Sequence, residues 1–474
     1  MLFNTLSFFT FLLIVYIAYL CFFSKKTTLR NAFLLIVSYL FYGWWDYRFL
    51  LLIFSVSLLS FFSGKYIEEK RGDGNKSKLI LWANISVNLL LLGYFKYVNF
   101  FIDSVKSFLE MLNWQVDWPT LNVILPVGIS FYTFQALSYT IDVYKEKVKA
   151  TENVVSYFSY IAFLPQLVAG PIERASNMLP QFSAPFKFDY DKARQGFLLI
   201  AVGLFKKMVI ADRLSVYVDG VWGNLQGADG YSLTMGLLFF SFQLYLDFSA
   251  YSQIAIGTAR LFGFELMQNF NSPYLSVSFA DFWKRWHISL TSWFRDYLYI
   301  PLGGNRKGTF FTYLNIFIVF FVSGLWHGAS WTFVIWGGLN GLFLILNKLL
   351  KWNPTNLVTK LLGAVVTFSF WTLSLSFFRS QSLSDAMYVL TNLGWGQSDL
   401  LYSFGLNSME FGFVAKLLVL LVLAELLLEK KEALFYKVLN FAPVRWAVYI
   451  LLPLAIVYLG VYGSSDNSFI YFQF

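Results

Sequence analysis

Charged side chains are scarce in this chain, and cysteine and histidine are nearly absent. Charged residues make up 13% of the 474 residues, against about a quarter in an ordinary soluble domain. Hydrophobic residues reach 57%, which leaves no room for a soluble domain. The net charge of +9 needs no nucleic-acid partner, because short cytoplasmic loops of membrane proteins are rich in lysine and arginine. The single cysteine, Cys21, excludes disulfides, paired thiols and thiolate metal sites.

Apolar runs of bilayer-spanning length recur along the whole sequence. A transmembrane helix needs about 20 predominantly apolar residues. The sequence therefore predicts an all-α polytopic membrane protein with about twelve transmembrane helices, near residues 2–23, 30–45, 48–64, 79–98, 122–143, 195–212, 232–259, 309–326, 330–348, 358–378, 412–428 and 446–463. A further apolar stretch, 154–170, is predicted to be re-entrant.

The basic residues predict how the chain is oriented. The first apolar run has an uncharged start and is too long for the core of a signal peptide, so we expect it to remain as a span. The positive-inside rule places 25–30 in the cytoplasm and the N-terminus outside. Loops 65–78 and 145–149 then lie inside, as does the basic loop 430–445. The last helix therefore runs outward, and twelve spans leave both termini outside.

Two segments break the pattern of simple spans. Segment 163–182 holds three prolines and a glycine, and irregular backbone at membrane depth is tolerated only where protein covers it or a cavity adjoins it. We expect Gln166 and Pro171 to shape its turn. Segment 268–308 mixes charged and aromatic residues and predicts amphipathic cytoplasmic helices with interfacial aromatics. Its Gly303-Gly304 pair indicates a closing turn, because it matches neither phosphate-loop spacing.

The two histidines are the first candidates for chemistry. His327 lies in GLWHG between two predicted spans, and His287 ends WKRWHISL. An ionisable side chain at membrane depth is a functional candidate by default, and histidine titrates near neutral pH. His327 is either a general base or a packing histidine. His287 either orients the donor, stabilises an oxyanion, or is an interfacial histidine among Trp283, Arg285 and Trp286. Two histidines without a third clear ligand make a poor zinc site.

Three further features carry polar chemistry. Asp247 lies within the apolar run YLDFSAY, and a buried carboxylate needs a partner; we expect a structural bond to an arginine. Arg295 and Asp296 are predicted to form an interfacial pair at the cytoplasmic entrance. The tail FIYFQF contains Tyr471. It either anchors at the membrane surface, as aromatic residues do, or folds into an external funnel and presents its hydroxyl.

Long motifs resemble one protein family. The runs LYLDFSAYSQIAIGTARLFGFEL, NFNSPYLSVSFADFWKRWHISLTSWFRDYLYIPLGGNR and GLWHGASWTFVIWGGLNG resemble the bacterial membrane-bound O-acyltransferases. The nearest branch contains the alginate O-acetylation membrane protein and peptidoglycan O-acetyltransferase A. FLPQLVAGPIER is similar to that branch, and the likeness covers nearly the whole chain. It implies a ring of helices around a central funnel, with a narrow tunnel to a cytoplasmic donor.

The resemblance also implies residue roles. His327 matches the catalytic histidine and His287 a second motif residue. A base deprotonates the acceptor hydroxyl as it attacks the donor thioester, and burial keeps an imidazole neutral. Similar tails with a central tyrosine are thought to carry the acyl group, and an acyl-phenol (pKa about 10) stays activated for a second transfer. The catalytic candidates are His327, His287 and Tyr471, and the substrate-binding candidates are Trp326, Arg295, Asp296, Asp247 and Tyr251.

Together these observations predict an O-acyltransferase of the bacterial cytoplasmic membrane. It takes acetyl from a cytoplasmic thioester, acetyl-CoA or an acyl-carrier thioester, for O-acetylation of a cell-surface polysaccharide such as peptidoglycan or alginate. It has no permanently bound cofactor or metal, and its expected partner is an extracytoplasmic SGNH-type acetyltransferase. The membrane domain is 1–463, with a motif core of about 160–350, and the tail is 464–474.

Two alternatives stay open. One is D-alanyl transfer to teichoic acid, whose branch matches the NFNSPY to YIPLGGNR wording less well and whose tyrosine tail is thought to lie on a separate small protein. The other is a transporter or flippase of an acyl or glycan carrier. Transporters usually show internal repeats and charged pairs at the membrane midplane, and the sequence shows neither.

Overall fold

The computed structural model describes residues 3–167, 170–352, 354–396, 398–462 and 469–470, and it describes no side chains for 430–436. Every regular element in these residues is a helix, which confirms the predicted all-α class. Twenty α-helices are joined by short 3₁₀ segments and by wide helical turns with π-type bonding. Tyr471 lies outside the described residues, as do 463–468 and the rest of the C-terminus.

The chain divides into two compact units. The first comprises Met1–Gly196 and Ala255–Met267. Its helices are α1 (Leu6–Ala18), α2 (Thr27–Gly43), α3 (Leu50–Glu69), α4 (Gly74–Leu92), α5 (Val98–Met111), α6 (Ile129–Tyr144), α7 (Val154–Ala162), α8 (Leu164–Leu167) and α9 (Ala175–Ser183).

Buried polar side chains join the helices of the first unit. Asn84 of α4 donates to the hydroxyls of Ser60 and Ser63 at 3.3 and 3.1 Å, and Thr140 of α6 donates to its oxygen at 3.0 Å. Such bonds between apolar helices contribute about 0.6–2 kcal/mol each. The segment predicted as irregular forms the short buried helices α7, α8 and α9. Gln166 fixes its turn by donating to the Tyr160 carbonyl at 2.6 Å.

The second unit comprises Phe197–Ile254 and Gln268–Phe474. Helices α10 (Tyr190–Leu204) and α12 (Gly230–Leu261) have residues in both units. The remaining elements are α10 (Tyr190–Leu204), α11 (Asp212–Gly223), α12 (Gly230–Leu261), α13 (Phe279–Arg285), α14 (Ile288–Phe294), α15 (Thr309–His327), α16 (Trp331–Leu349), α17 (Leu357–Arg379), α18 (Leu383–Thr391), α19 (Ser408–Asn440) and α20 (Ala442–Leu459). A wide turn, Phe205–Ala211, joins α10 to α11.

Segment 268–308 forms short helices as predicted, and many of their side chains are buried. The aromatic faces of α13 and α14 are buried, including Phe282, Trp286 and Trp293. The segment closes at Gly303 and Gly304, whose φ angles of 113° and 56° lie in the left-handed region that glycine adopts without strain. The predicted closing turn is therefore confirmed.

Two glycines set the distance between α15 and α16. A methyl group at Gly337 of α16 would lie 2.9 Å from the Gly324 Cα and collide with the Phe320 carbonyl of α15. Small residues at such positions let apolar helices approach closely. This contact places the end of α15, which carries His327, against the start of α16.

Nine helical segments among the described residues are long and apolar enough to cross a membrane, and this chain is a multi-pass membrane protein. They are Leu6–Phe23, Tyr47–Glu69, Gly74–Met111, Gly230–Leu261, Thr309–His327, Trp331–Leu349, Leu357–Arg379, Ser408–Glu429 and Ala442–Leu459. Each coincides with a predicted span. Two of the other predicted spans correspond to α2 and α6, with 17 and 16 residues. The third, 195–212, covers the end of α10 and the wide turn Phe205–Ala211, which continues it to the start of α11. The count of twelve stays a prediction.

Candidate active site

His327 ends α15 inside an aromatic enclosure. The side chain is 3% exposed, and its ring centroid lies 5.0 Å from that of Trp326, 5.1 Å from Trp336 and 5.6 Å from Phe378. The next residue, Gly328, stops the helix where any side chain would collide with the Phe333 ring. The GLWHG motif thus fixes where the helix ends and delivers its imidazole into the aromatic cluster.

His287 lies between α13 and α14 in an unusual backbone conformation. Its φ of 43° is left-handed, which costs a residue other than glycine about 1–2 kcal/mol. Residues persist in such conformations only where their surroundings require it. The side chain is 1% exposed, and its ring meets Phe248 of α12 edge-on at 4.6 Å. The residue is thus enclosed by other side chains, and its role stays a prediction.

Asn269 fixes the tautomer of His287. The Asn269 Oδ1 lies 3.1 Å from the His287 Nδ1 and also accepts from the Ser289 hydroxyl at 2.9 Å. Because this oxygen only accepts, Nδ1 carries the proton and Nε2 keeps its lone pair. Burial lowers the pKa of His287 from 6.5 to about 3, so the ring stays neutral near physiological pH.

The fold brings together two histidines that are far apart in sequence. Their ring centroids lie 6.5 Å apart. The Trp326 ring is 6.0 Å from His287 and 5.0 Å from His327, so it borders both imidazoles. The predicted catalytic pair is thus a single buried site, lined by a residue that the sequence placed among the substrate-binding candidates.

Asp247 belongs to a buried charge cluster, and the predicted arginine partner is wrong. The Lys207 Nζ lies 2.7 Å from Asp247 Oδ1 and 2.7 Å from Asp212 Oδ1. All three residues are 2% exposed. Lys207 sits on the wide turn Phe205–Ala211, which is part of a helical run. The expectation of no charged pair within the helices is therefore also wrong. We call these three residues the charge triad.

The described part of the C-terminal tail lies against the same stretch of α12. The Ile470 backbone N–H donates to Asp247 Oδ2 at 2.8 Å. Phe469 is fully buried and stacks on Tyr251 at 4.2 Å between centroids. Its ring is also 5.6 Å from Phe248, which contacts His287. Asp247 and Tyr251 thus hold the tail beside the histidine site.

The predicted pair of Arg295 and Asp296 forms an ion pair at 2.8 Å. It lies on the wide turn Arg295–Tyr299, and the arginine side chain is 62% exposed. An exposed pair contributes little to stability. Its role at a donor entrance stays a prediction.

Comparison with known proteins decides the family. The family model of the membrane-bound O-acyltransferases matches residues 146–390, a range that contains both histidines, Asn269 and the charge triad. The chain belongs to this family. It is an O-acyltransferase, and the alternative of a transporter is set aside.

Several named relatives of this acyltransferase are similar over much of its length. A protein of Pseudomonas aeruginosa named "Probable alginate O-acetylase AlgI" is 39% identical over 79% of this chain and 70% of its own. A "Peptidoglycan O-acetyltransferase" of Helicobacter pylori is 33% identical over 100% of this chain and 98% of its own. A "Teichoic acid D-alanyltransferase" of Bacillus subtilis is 28% identical over 57% of this chain and 72% of its own.

Three residues of the acyltransferase site were missed in the sequence. Asn269 stands in NFNSPY beside residues that were quoted only as a motif. Lys207 and Asp212 lie in or at the end of a predicted span, 195–212. Charged residues inside a span almost always pair with one another, so these two and Asp247 could have been matched by charge alone.

Proposed function

We propose that this O-acyltransferase takes an acetyl group from a cytoplasmic thioester, acetyl-CoA, and delivers it outward for O-acetylation of a cell-surface polysaccharide. The observation that carries the proposal is the buried pair of imidazoles beside a seated C-terminal tail whose next residue is Tyr471. The names of the relatives, which act on alginate and peptidoglycan, support acetyl as the group and a polysaccharide as the final acceptor.

The first step forms an acetyl-tyrosine. His327 takes the proton of the Tyr471 phenol as its oxygen attacks the thioester carbonyl. The C–O bond forms, the C–S bond breaks, and the departing thiolate recovers the proton from the imidazolium. The phenol ester remains a better acetyl donor than a sugar ester, because a phenol (pKa about 10) is the better leaving group.

The tautomer of His287 favours one of its two predicted roles. An oxyanion is stabilised by a hydrogen-bond donor, but the Nδ1 proton of His287 is directed at Asn269. Nε2 can therefore only accept. We assign His287 to orienting a donor group of the thioester substrate, such as an amide N–H, opposite His327.

The second step takes the acetyl group from Tyr471 to the glycan outside the membrane. We propose that an extracytoplasmic SGNH-type acetyltransferase accepts it. This requires both termini outside the cytoplasmic membrane, an orientation that the distribution of basic loops supports.

Reconstitution of the full chain in proteoliposomes with acetyl-labelled CoA tests the proposal. We expect release of CoA thiol and label on the tail peptide that contains Tyr471, measured by mass spectrometry. His327→Gln should reduce thiol release by about 10²–10⁴-fold, the usual contribution of a general base. Tyr471→Phe should remove the tail label, and Tyr462→Phe, at an exposed tyrosine outside the site, is the matched control.

Three outcomes would contradict the proposal. Normal transfer by a correctly inserted His327→Gln protein removes that residue as the base. Turnover with a D-alanyl carrier thioester but not with acetyl-CoA would favour D-alanyl transfer, the activity named for the Bacillus relative. Label on a residue outside the tail would end the role of Tyr471.

A further inference from the structure

We propose that Asp247 of the charge triad is the docking residue for the chain's own C-terminal segment, which it holds through the Ile470 backbone amide. The inference deepens the proposed function, on which it rests for the role of Tyr471. It gives the buried charges a structural role in holding the tail, distinct from acid–base chemistry and from packing.

The charge balance of the triad calls for a further donor. Two carboxylates share one ammonium group, and all three side chains are buried. A buried carboxylate is costly unless its oxygens accept hydrogen bonds. The Ile470 N–H meets Asp247 Oδ2 at 2.8 Å, and bonds to a charged acceptor are about twice as strong as neutral ones. The tail backbone therefore donates to the Asp247 oxygen other than the one nearest Lys207.

The same face of α12 recognises the side chain before that amide. Tyr251 follows Asp247 by four residues, which puts both on one helix face. Its ring stacks on Phe469 at 4.2 Å and 28° between ring planes, and Ile470 is itself buried. This face of α12 thus binds an aromatic side chain and the backbone N–H of the residue after it. Phe469 and Ile470 of FIYFQF supply the two groups.

The residues that lead into the tail, at the end of α20, are bonded to the wide turn that carries Lys207 and to the start of α11. The Val461 N–H donates to the Met208 carbonyl at 2.9 Å, and Arg213 donates to the Leu459 carbonyl at 2.9 Å. Val461 and Ile470, nine residues apart in sequence, are therefore both bonded near the charge triad. Bringing two residues so close in sequence to one region costs little entropy, which favours the chain's own tail over the tail of a second copy.

Docking also limits where the next residue can go. Tyr471 follows Ile470 directly in sequence, and successive Cα atoms are about 3.8 Å apart. Asp247 directly precedes Phe248, whose ring contacts both Phe469 and His287. The triad thus acts as a positioning device that holds the tyrosine near the histidine pair without touching the reacting atoms.

Accessibility of residue 470 measures docking without any turnover. The exposed Cys21 is replaced by serine in the full chain, and Ile470→Cys is introduced as the only thiol. We measure its rate of modification by a maleimide in nanodiscs. Asp247→Ala should raise this rate about tenfold or more, because the amide loses its acceptor. Asp247→Asn, which keeps the shape and a neutral acceptor, should give an intermediate rate.

Asp212→Ala is the matched control. Like Asp247→Ala, this substitution removes one carboxylate from Lys207 and leaves one ion pair. Asp212 does not contact the described residues of the tail, so the modification rate in this variant should stay within about twofold to threefold of the parent rate. Equal rates for Asp212→Ala and Asp247→Ala, or no change in either, would overturn the proposal. A rate that depends on protein concentration would assign the site to a second copy's tail and overturn the intramolecular assignment.

The design separates this inference from the proposed function. Tyr471→Phe in the same background should leave the modification rate unchanged while it blocks acetyl transfer. If Asp247→Ala accelerates modification but leaves acetyl transfer intact, docking stands and the tyrosine relay fails. If transfer to Tyr471 occurs and Asp247→Ala leaves the modification rate unchanged, the relay stands and this inference fails.

Discussion

The chemistry of His287 depends on one amide oxygen. Asn269 Oδ1 faces the imidazole Nδ1 and the Ser289 hydroxyl, while the Asn269 amide nitrogen is 3.3 Å from the Ser252 hydroxyl. These contacts leave the side chain one orientation. In serine proteases, an acceptor behind the histidine fixes the tautomer, and its loss costs about 10⁴ in rate. Asn269 serves the same purpose here with a neutral group.

Two substitutions at Asn269 separate positioning from packing. Asn269→Leu keeps the volume but removes the acceptor, so the imidazole can turn or change tautomer, and we expect thioester turnover to fall roughly 10- to 100-fold. Asn269→Asp keeps the acceptor and should retain most activity at high pH. A carboxylate beside Nδ1 raises the imidazole pKa, so activity should fall as the pH is lowered.

The pH profile of thiol release checks this prediction. For Asn269→Asp the ratio of mutant to parent rate should decline between pH 8 and 6, whereas for Asn269→Leu it should not vary with pH. Equal loss in both variants at every pH would show that Asn269 only fills space.

At the scale of single residues, the sequence predicted which side chains could carry chemistry, but it did not predict their spatial arrangement. Both histidines stood out, because an ionisable group among apolar residues needs a reason to be there. Their separation of 6.5 Å could not be predicted, since it depends on how α15 packs against segment 268–308. The same limit explains the wrong partner for Asp247. A carboxylate in an apolar helix indicates that a cation must lie nearby. The sequence does not show which helix supplies that cation.

The crossing of α15 and α16 is the element on which the position of His327 depends. Gly324 precedes His327 by three residues and meets Gly337 in direct backbone contact. Side-chain bulk at this crossing would push the two helices apart and shift the imidazole. A displacement of about 1 Å in a catalytic group can cost around 100-fold in rate.

Adjacent glycines on α16 provide a direct comparison. Gly337→Ala would collide with the Phe320 carbonyl and the Gly324 Cα of α15, so we expect a loss of about 1–3 kcal/mol and a strong fall in turnover. Gly338→Ala meets only the edge of the Phe317 ring at 3.8 Å. It should be tolerated and gain up to about 1 kcal/mol in helix propensity. Thermal unfolding in detergent and thiol release measure both, and similar melting temperatures for the two variants would contradict this account.

Hydropathy alone predicts some of the helices as membrane spans and leaves others ambiguous. Nine spans were predicted from long apolar runs, which have few alternatives in a bilayer. Helices α2, α6 and α10 were harder, because short or polar-flanked apolar stretches suit a span, a re-entrant segment or a buried helix equally well. The aromatic segment 268–308 was predicted as interfacial helices, yet much of it is core. Its tryptophans suit a membrane surface and a protein interior alike.

Whether α2, α6 and α10 cross the membrane decides where the tail can act. If all three cross, twelve spans place the N-terminus and the tail on one side. If only the nine long segments cross, the termini lie on opposite sides. With the N-terminus outside, nine crossings would put the basic loop 65–78 outside and the tail in the cytoplasm. The positive-inside rule disfavours that arrangement, and an outward acetyl relay through Tyr471 would be impossible in it.

Two single cysteines in the Cys21→Ser background distinguish these topologies. Asn75, in the first turn of α4 at the end of the basic stretch 65–78, and Trp395, between α18 and α19, are both exposed. Twelve crossings place residue 75 in the cytoplasm and residue 395 outside, whereas nine crossings reverse both. We therefore expect an impermeant maleimide to label Trp395→Cys in intact cells and Asn75→Cys only after permeabilisation. The reverse pattern would show that the short helices stay within the membrane. The charge triad would then hold a tail that faces the cytoplasm, where it could receive acetyl but never pass it to a glycan.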